Sequence, residues 1–346
     1  MRRALTFVLA ALGTGLFWWL GLPLPFLFGP MAFCLAGALV HLPLKGFGQV
    51  SVAARTILGV AVGASITPEV IAELPRMAMS VALVPVFIAL IALVGVPFFR
   101  RIWGFDLPTA YYAAMPGGLQ DMVIFGTEAG GNPRALSLIH ATRVLLIVTL
   151  APLFLGHFYG AELSNPIGAP VADLPLHELA IMALAALIGW KGGERIGLFG
   201  ASILGPMIVT AILSLTGVVH FRPPAEAILA AQFFIGCGIG IHFLGVTWRE
   251  LTRVVAAGMA YVLLLALLAA GFTALVTGLG LGDPVPAFLA FAPGGQAEMT
   301  VLAIIAGADL GFIVVHHLTR IVLVIIGAPI FAAFFKVRAG GKGAPK

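Results

Sequence analysis

The sequence predicts an all-α, polytopic membrane protein made of two homologous halves, and three observations point there. Of 346 residues, 61% are hydrophobic and only 10% charged, with a mean hydropathy of +1.10, a composition foreign to soluble domains. Apolar runs of bilayer-spanning length, about 20 residues, recur along the chain: Ala4 to Leu20, Met77 to Phe99, Ala135 to Phe158, Leu179 to Trp190 with its flanks, Val254 to Leu279 and Gly311 to Phe335. The chain also matches itself at a shift of 177 residues, pairing Asp106 with Asp283, Pro116-Gly117-Gly118 with Pro293-Gly294-Gly295, Asp121 with Glu298, His140 with His317, and Thr142-Arg143 with Thr319-Arg320. Such self-similarity is the mark of a duplicated architecture.

Each half reads as six elements. The first is an apolar entry helix; Arg2-Arg3 ahead of Ala4 to Leu20 imitates a signal peptide, but His177 to Trp190 opens the second half in the same way, so both are read as retained helices. The second carries Gly29-Pro30 or Gly205-Pro206 and is expected to kink. A shorter glycine-rich segment follows, Val50 to Ile66 or Ala225 to Phe243, and then a long helix. The fifth contains the Pro-Gly-Gly break, and the sixth closes the half with His140 and Arg143, or His317 and Arg320. These elements set the boundaries: 1–160 for the first transmembrane repeat, 161–176 for a polar linker, 177–336 for the second repeat and 337–346 for a basic tail. Trp18-Trp19, Trp103 and Trp248 fall near segment ends, as interfacial anchors do. Cys34 and Cys237 stand in apolar context and read as packing residues.

Charge placement decides between parallel and inverted repeats, because an even number of crossings per half preserves orientation and an odd number flips it. If the Pro-Gly-Gly element dips in and returns on the same side, Arg134, Lys191, Arg195, Arg249 and Arg253 move to the cytoplasmic side and only Arg222 leaves it. The positive-inside rule favours that arrangement. The expectation is inverted repeats of five crossings each, with broken or re-entrant Pro-Gly-Gly elements and both termini cytoplasmic.

Backbone that is not helical survives at membrane depth only where protein buries it or water reaches it. Each break starts a half-helix, near Gly118 or Gly295, whose first N–H groups lack partners and carry the positive end of the helix dipole. Asp121 and Glu298 fall in the first turns. One reading makes each acid a simple complement to that dipole; another makes it functional, because an intramembrane carboxylate is costly. His140 with Arg143, and His317 with Arg320, are three apart and project from one helix face. The arginines can neutralise the acids while the histidines bond loop carbonyls, or the arginines and half-helix ends can receive an anionic solute while acid and histidine carry a coupling proton. The expected solute-binding residues are Pro116, Gly117, Gly118, Gln120, Pro293, Gly294, Gly295, Gln296, Arg143 and Arg320; the expected coupling residues are Asp121, Glu298, His140 and His317.

Other chemistries fit poorly. The net charge of +5 sits at segment ends and termini rather than on a reader domain, so nucleic acid is not an expected partner. No histidine pair has helical metal-motif spacing, and adjacent His316 and His317 diverge by about 100° on a helix. GLGD at Gly280 to Asp283 lacks the partner motifs of an intramembrane aspartyl protease. No metal, cofactor or enzymatic activity is expected.

At the two Pro-Gly-Gly-acid motifs and their His-x-x-Arg partners, the sequence resembles the AbrB-type membrane duplication family, over roughly residues 20 to 335. Members carry two related halves, each with such a motif, and have been labelled ammonia monooxygenases, membrane regulators and transporters. The resemblance fixes no substrate. The residues favour a secondary transporter of a small polar or anionic solute, proton or sodium coupled, in a bacterial inner membrane. The alternative is a membrane sensor that binds a ligand without moving it. The expected partners are a small-molecule solute and the lipid bilayer, with a homo-oligomer left open.

Overall fold

A computed structural model of the chain describes residues 2–22, 24–163, 167–198 and 200–337, with backbone alone for residues 69, 120 and 297. Most of the basic tail and residues 164–166 of the linker lie outside the described residues. Among the described residues the regular elements are all helical. The first half runs α1 (Arg2–Trp19), α2 (Pro25–Leu39), α3 (Gln49–Gly63), α4 (Pro68–Pro97, prolonged by a π turn over Phe98–Ile102), α5 (Leu107–Ala114), α6 (Leu119–Glu128) and α7 (Pro133–Tyr159). After a 3-10 turn at Val171–Asp173 come α8 (Leu176–Arg195), α9 (Ala201–Leu215), α10 (Ala225–Ile241) and α11 (Trp248–Glu250). A π turn over Leu251–Val255 leads on to α12 (Ala256–Gly278), α13 (Pro284–Phe291), α14 (Gln296–Ile305) and α15 (Leu310–Phe334).

The duplication shows in element lengths. Helices α2 and α9 have 15 residues each, α5 and α13 have 8, and α6 and α14 have 10. Local rules explain the ends: a proline opens α5 and α13 where its missing N–H costs nothing, and Asp106 caps α5 by accepting the Thr109 N–H at 2.9 Å.

Among the described residues, four helical stretches are long and apolar enough to cross a membrane: Val70–Ile102, Pro133–Tyr159, Trp248–Gly278 and Leu310–Phe334. This is a polytopic helical membrane protein. Helices α2, α3 and α9 at 15 residues and α10 at 17 are shorter than ordinary spans. They cover about 22–26 Å at 1.5 Å per residue, against a hydrocarbon core of about 30 Å. Pro30 and Pro206 lie inside α2 and α9.

Two compact units form, and each draws on both halves of the chain. The first comprises Met1–Arg76, Ala151–Gly245 and Gln296–Val314. Its helices pack backbone to backbone at equivalent places. A β-carbon on Gly13 would collide with the Gly29 carbonyl, and one on Gly189 with the Gly205 carbonyl, fixing α1 on α2 and α8 on α9. Gly240 leaves only 2.6 Å between such a carbon and the Met31 carbonyl, and Gly63 only 2.5 Å from the Met207 carbonyl, so α10 lies on α2 and α3 on α9. Small residues permit this approach where the hydrophobic effect gives no drive between helices in lipid. At the loop end of α8, the buried Glu178 carboxylate accepts His220 Nδ1–H at 2.9 Å and the His220 and Phe221 N–H groups at 3.1 and 3.2 Å.

The second unit comprises Met77–Leu150, Val246–Gly295 and Val315–Lys346. It holds both Pro-Gly-Gly motifs and both His-x-x-Arg motifs. An aromatic core of Phe87, Phe272 and Phe291, with ring centroids 5.0–5.3 Å apart, packs α4, α12 and α13 together.

Candidate functional site: twin helix breaks held by arginine

The break in the first half separates α5 from α6. Its residues Met115 and Gly118 adopt extended conformations, so the chain leaves the helix and re-enters it. Helix α6 then folds back along α5: the Asn132 N–H donates to Thr109 Oγ1 at 2.8 Å, and a β-carbon on Gly126 would press on Tyr112 Cβ at 3.2 Å. The element is therefore a hairpin whose entry and exit meet. Thr109 also donates to Asp106 Oδ2 at 2.8 Å, which ties the α5 cap to the exit.

Breaking a helix leaves the last carbonyls of α5 without their usual partners. Three side chains supply them. His140 Nε2–H donates to the Tyr112 carbonyl at 3.1 Å, and Tyr261 Oη–H to that of Ala114 at 2.8 Å. Arg143 spans the break itself, with Nη1 on the Met115 carbonyl at 3.0 Å and Nη2 on the Gly117 carbonyl at 2.6 Å. A carbonyl can only accept, so His140 carries a proton on Nε2.

The second half repeats the histidine and arginine bonds of this arrangement. His317 Nε2–H donates to the Leu289 carbonyl at 2.9 Å. Arg320 Nη1 and Nη2 donate to the Ala292 and Gly294 carbonyls at 2.7 and 3.1 Å. The sequence separations, 28 for the histidine and the first arginine bond and 26 for the second, are identical in the two halves. All four of these residues are at least 97% buried.

Each predicted residue can now be placed. Gly117 and Gly294 present the clamped carbonyls, Pro116 and Pro293 are buried in the breaks, and Gly118 and Gly295 immediately precede α6 and α14. Asp121 and Glu298 stand in the first turns of α6 and α14, half-buried and engaged by neighbouring groups. Gln296 opens α14 and donates from Nε2 to Met207 Sδ at 3.7 Å. The side chain of Gln120 lies outside the described residues. The histidines bond carbonyls as the sequence allowed, and the terminal arginine nitrogens bond carbonyls as well.

Sequence reasoning missed Tyr261, whose role has no counterpart in the other half, since the related position is the buried Val84. A β-carbon on Gly95 would sit 2.8 Å from Ala114 Cβ and would also strike Tyr261 Oη, so that glycine is what admits the tyrosine. It missed Thr109 and Asn132 for a different reason: their bond depends on the hairpin closing.

Fold and site together define a class, that of helical membrane proteins with a duplicated, arginine-clamped helix break. The family described as "Transition state regulatory protein AbrB" matches residues 4–336. The chain belongs to the AbrB family. It is 28% identical over 297 residues to "Uncharacterized protein YhjN" of Bacillus subtilis (strain 168), covering 80% of this chain and 76% of that one. It is 25% identical over 338 residues to "Putative regulator AbrB" of Escherichia coli (strain K12), covering 93% of each.

Proposed function

We propose that the protein is a secondary transporter of a small polar or anionic solute, with its site at the two Pro-Gly-Gly breaks and a bacterial inner membrane as its location, both termini cytoplasmic. One observation carries this reading: the same clamp is built twice, and each time it commits an arginine to the carbonyl side of a break. The N–H groups that begin α6 and α14 remain as the donors of the site. An acid in each first turn supplies a group that can gain and lose a proton beside those donors, and intramembrane acids are functional by default. The reading makes the protein a carrier rather than an enzyme, with coupling to a proton or sodium.

The words "regulatory" and "regulator" in the family description and in a relative's name favour a second reading, a membrane sensor that uses the same site without translocation. Flux separates the two. In vesicles reconstituted with purified protein and offered labelled small organic anions, saturable uptake is expected from the native chain and not from Asp121→Asn combined with Glu298→Gln, which should remain folded. Undiminished uptake by the double variant overturns the assignment, and saturable binding with no flux favours the sensor.

A further inference from the structure

Two of the long apolar helices meet end to end within the second unit, and that end carries more positive charge than its own bonds use. Helices α4 and α12 run antiparallel there. Phe98 and Phe99 lie against Tyr261 with ring centroids 5.6 and 4.6 Å apart, and further out Arg253 Nη2 donates to the Trp103 and Gly104 carbonyls at 3.1 and 3.3 Å. The Arg253 guanidinium also lies 5.4 Å from the Phe105 ring centroid. Arg134, at the start of α7, joins through Glu250, with its Nε 2.9 Å from the carboxylate. These two arginines tie the end together. Arg100, Arg101 and Arg249 do not: they are exposed, and among the described residues their side chains form no hydrogen bond or ion pair.

The Arg253 bonds gather these three on one rim, because Arg101 is two residues before Trp103 and Arg249 four before Arg253. The rim stands where the Val70–Ile102 span ends and the Trp248–Gly278 span begins, the level of lipid headgroups. Beside the arginines Ile102 is 71% and Trp248 77% exposed, the apolar and aromatic surface that marks a membrane interface. The adjoining acids are already engaged, Glu250 by Arg134 and the Thr247 N–H and Asp106 by the Thr109 N–H and hydroxyl. The duplicated frame does without this charge: at the shift of 177 residues the positions related to Arg100, Arg101 and Arg249 are Thr277, Gly278 and Ala72.

We propose that this rim is a headgroup site for an anionic phospholipid, with Arg100, Arg101 and Arg249 on the phosphate and Ile102 and Trp248 beneath its acyl chains. A guanidinium matches a phosphate through two parallel N–H bonds, and its long stem lies along apolar surface while the charge stays at the interface. Basic clusters at the ends of membrane helices attract anionic lipid for these reasons. The exposed Ile102 and Trp248 favour a lipid over a free anion, since only a lipid covers them as well. The site is independent of what the Pro-Gly-Gly breaks bind or move.

Lipid titration tests it. The full chain in non-ionic detergent is heated with increasing dioleoylphosphatidylglycerol, dioleoylphosphatidylcholine or inorganic phosphate, and the concentration giving half the maximal rise in Tm is read. The native protein should prefer the anionic lipid by about ten-fold or more. Arg100→Gln, Arg101→Gln and Arg249→Gln together should abolish that preference. A matched protein with Arg2→Gln, Arg3→Gln and Arg195→Gln, three exposed arginines of the first unit, should keep it. Equal response to the two lipids, survival of the preference in the first variant, or its loss in the second, which would make it a matter of overall charge, overturns the proposal. So does a rise with inorganic phosphate as large as that with the anionic lipid. Should the first variant not fold, the native chain still decides: its preference must shrink as salt screens the arginines, and a salt-independent preference is equally fatal.

Discussion

A guanidinium buried in a helical membrane protein needs acceptors for its hydrogens, and Arg143 and Arg320 find them on carbonyls that the broken helices cannot satisfy. Each side of this exchange is costly alone, which binds the side chain and the break to one another. Arg320→Lys keeps the charge but cannot span two carbonyls, so it should lower unfolding stability by about 1–2 kcal/mol, the range for hydrogen bonds within membranes, measured by denaturant titration in micelles. Glu178 gives a pH prediction. Burial pushes its carboxyl up, but the His220 side chain and the His220 and Phe221 N–H groups outweigh that and hold it below the ordinary carboxylate value. A carboxyl lowered in the native state contributes stability that is fully present above its unfolded value, about 4.3, and is lost as pH falls through the native one. Thermal unfolding followed between pH 7 and pH 3 should therefore show an acid limb that Glu178→Gln flattens. Much of this scale was legible in the sequence, since the three-residue spacing of His140 and Arg143 placed both on one face. Which atoms they grasp was not, because a carbonyl freed by a helix break leaves no mark on residue identity.

Elements meet through glycine in this chain, and the choice of glycine is position-specific. Gly13 and Gly15 lie in the same helix, but a β-carbon on Gly13 meets the Gly29 backbone while one on Gly15 meets nothing within 4 Å. Gly13→Ala should accordingly cost about 1–3 kcal/mol, the usual price of overpacking, whereas Gly15→Ala should be neutral or slightly stabilising through helix propensity; the same denaturant titration compares them. The hairpin of α5 and α6 offers another test. Thr109→Val removes both the acceptor for Asn132 and the bond to Asp106, and hydrogen exchange at the Asn132 amide should rise. The break, the proline openings and the matched lengths follow from sequence, because proline and glycine act on their own backbone. The return of α6 onto α5 does not, since the need for glycine at 126 is set by Tyr112 and Leu136 across the hairpin.

At the scale of the whole molecule, the halves that alignment separates do not coincide with the compact units, each of which takes elements from both. Self-matching reveals common ancestry of segments, while packing is decided by which apolar and glycine faces find partners. The topology prediction belongs here: cysteines placed at Glu162 and Asp283 should label from outside the cell, and those at Lys191 and Arg249 from inside. Labelling of the latter pair from outside would exclude inverted repeats. The clamp carries one more consequence. Main-chain oxygens at a broken helix are a natural seat of a desolvated alkali ion, yet at both breaks each of these oxygens already accepts from a cation the protein cannot release. In the transport reading proposed above, a tethered counter-ion of this kind would compete with sodium at the carbonyls of Gly117 and Gly294 and favour a proton on Asp121 or Glu298 as the coupling charge.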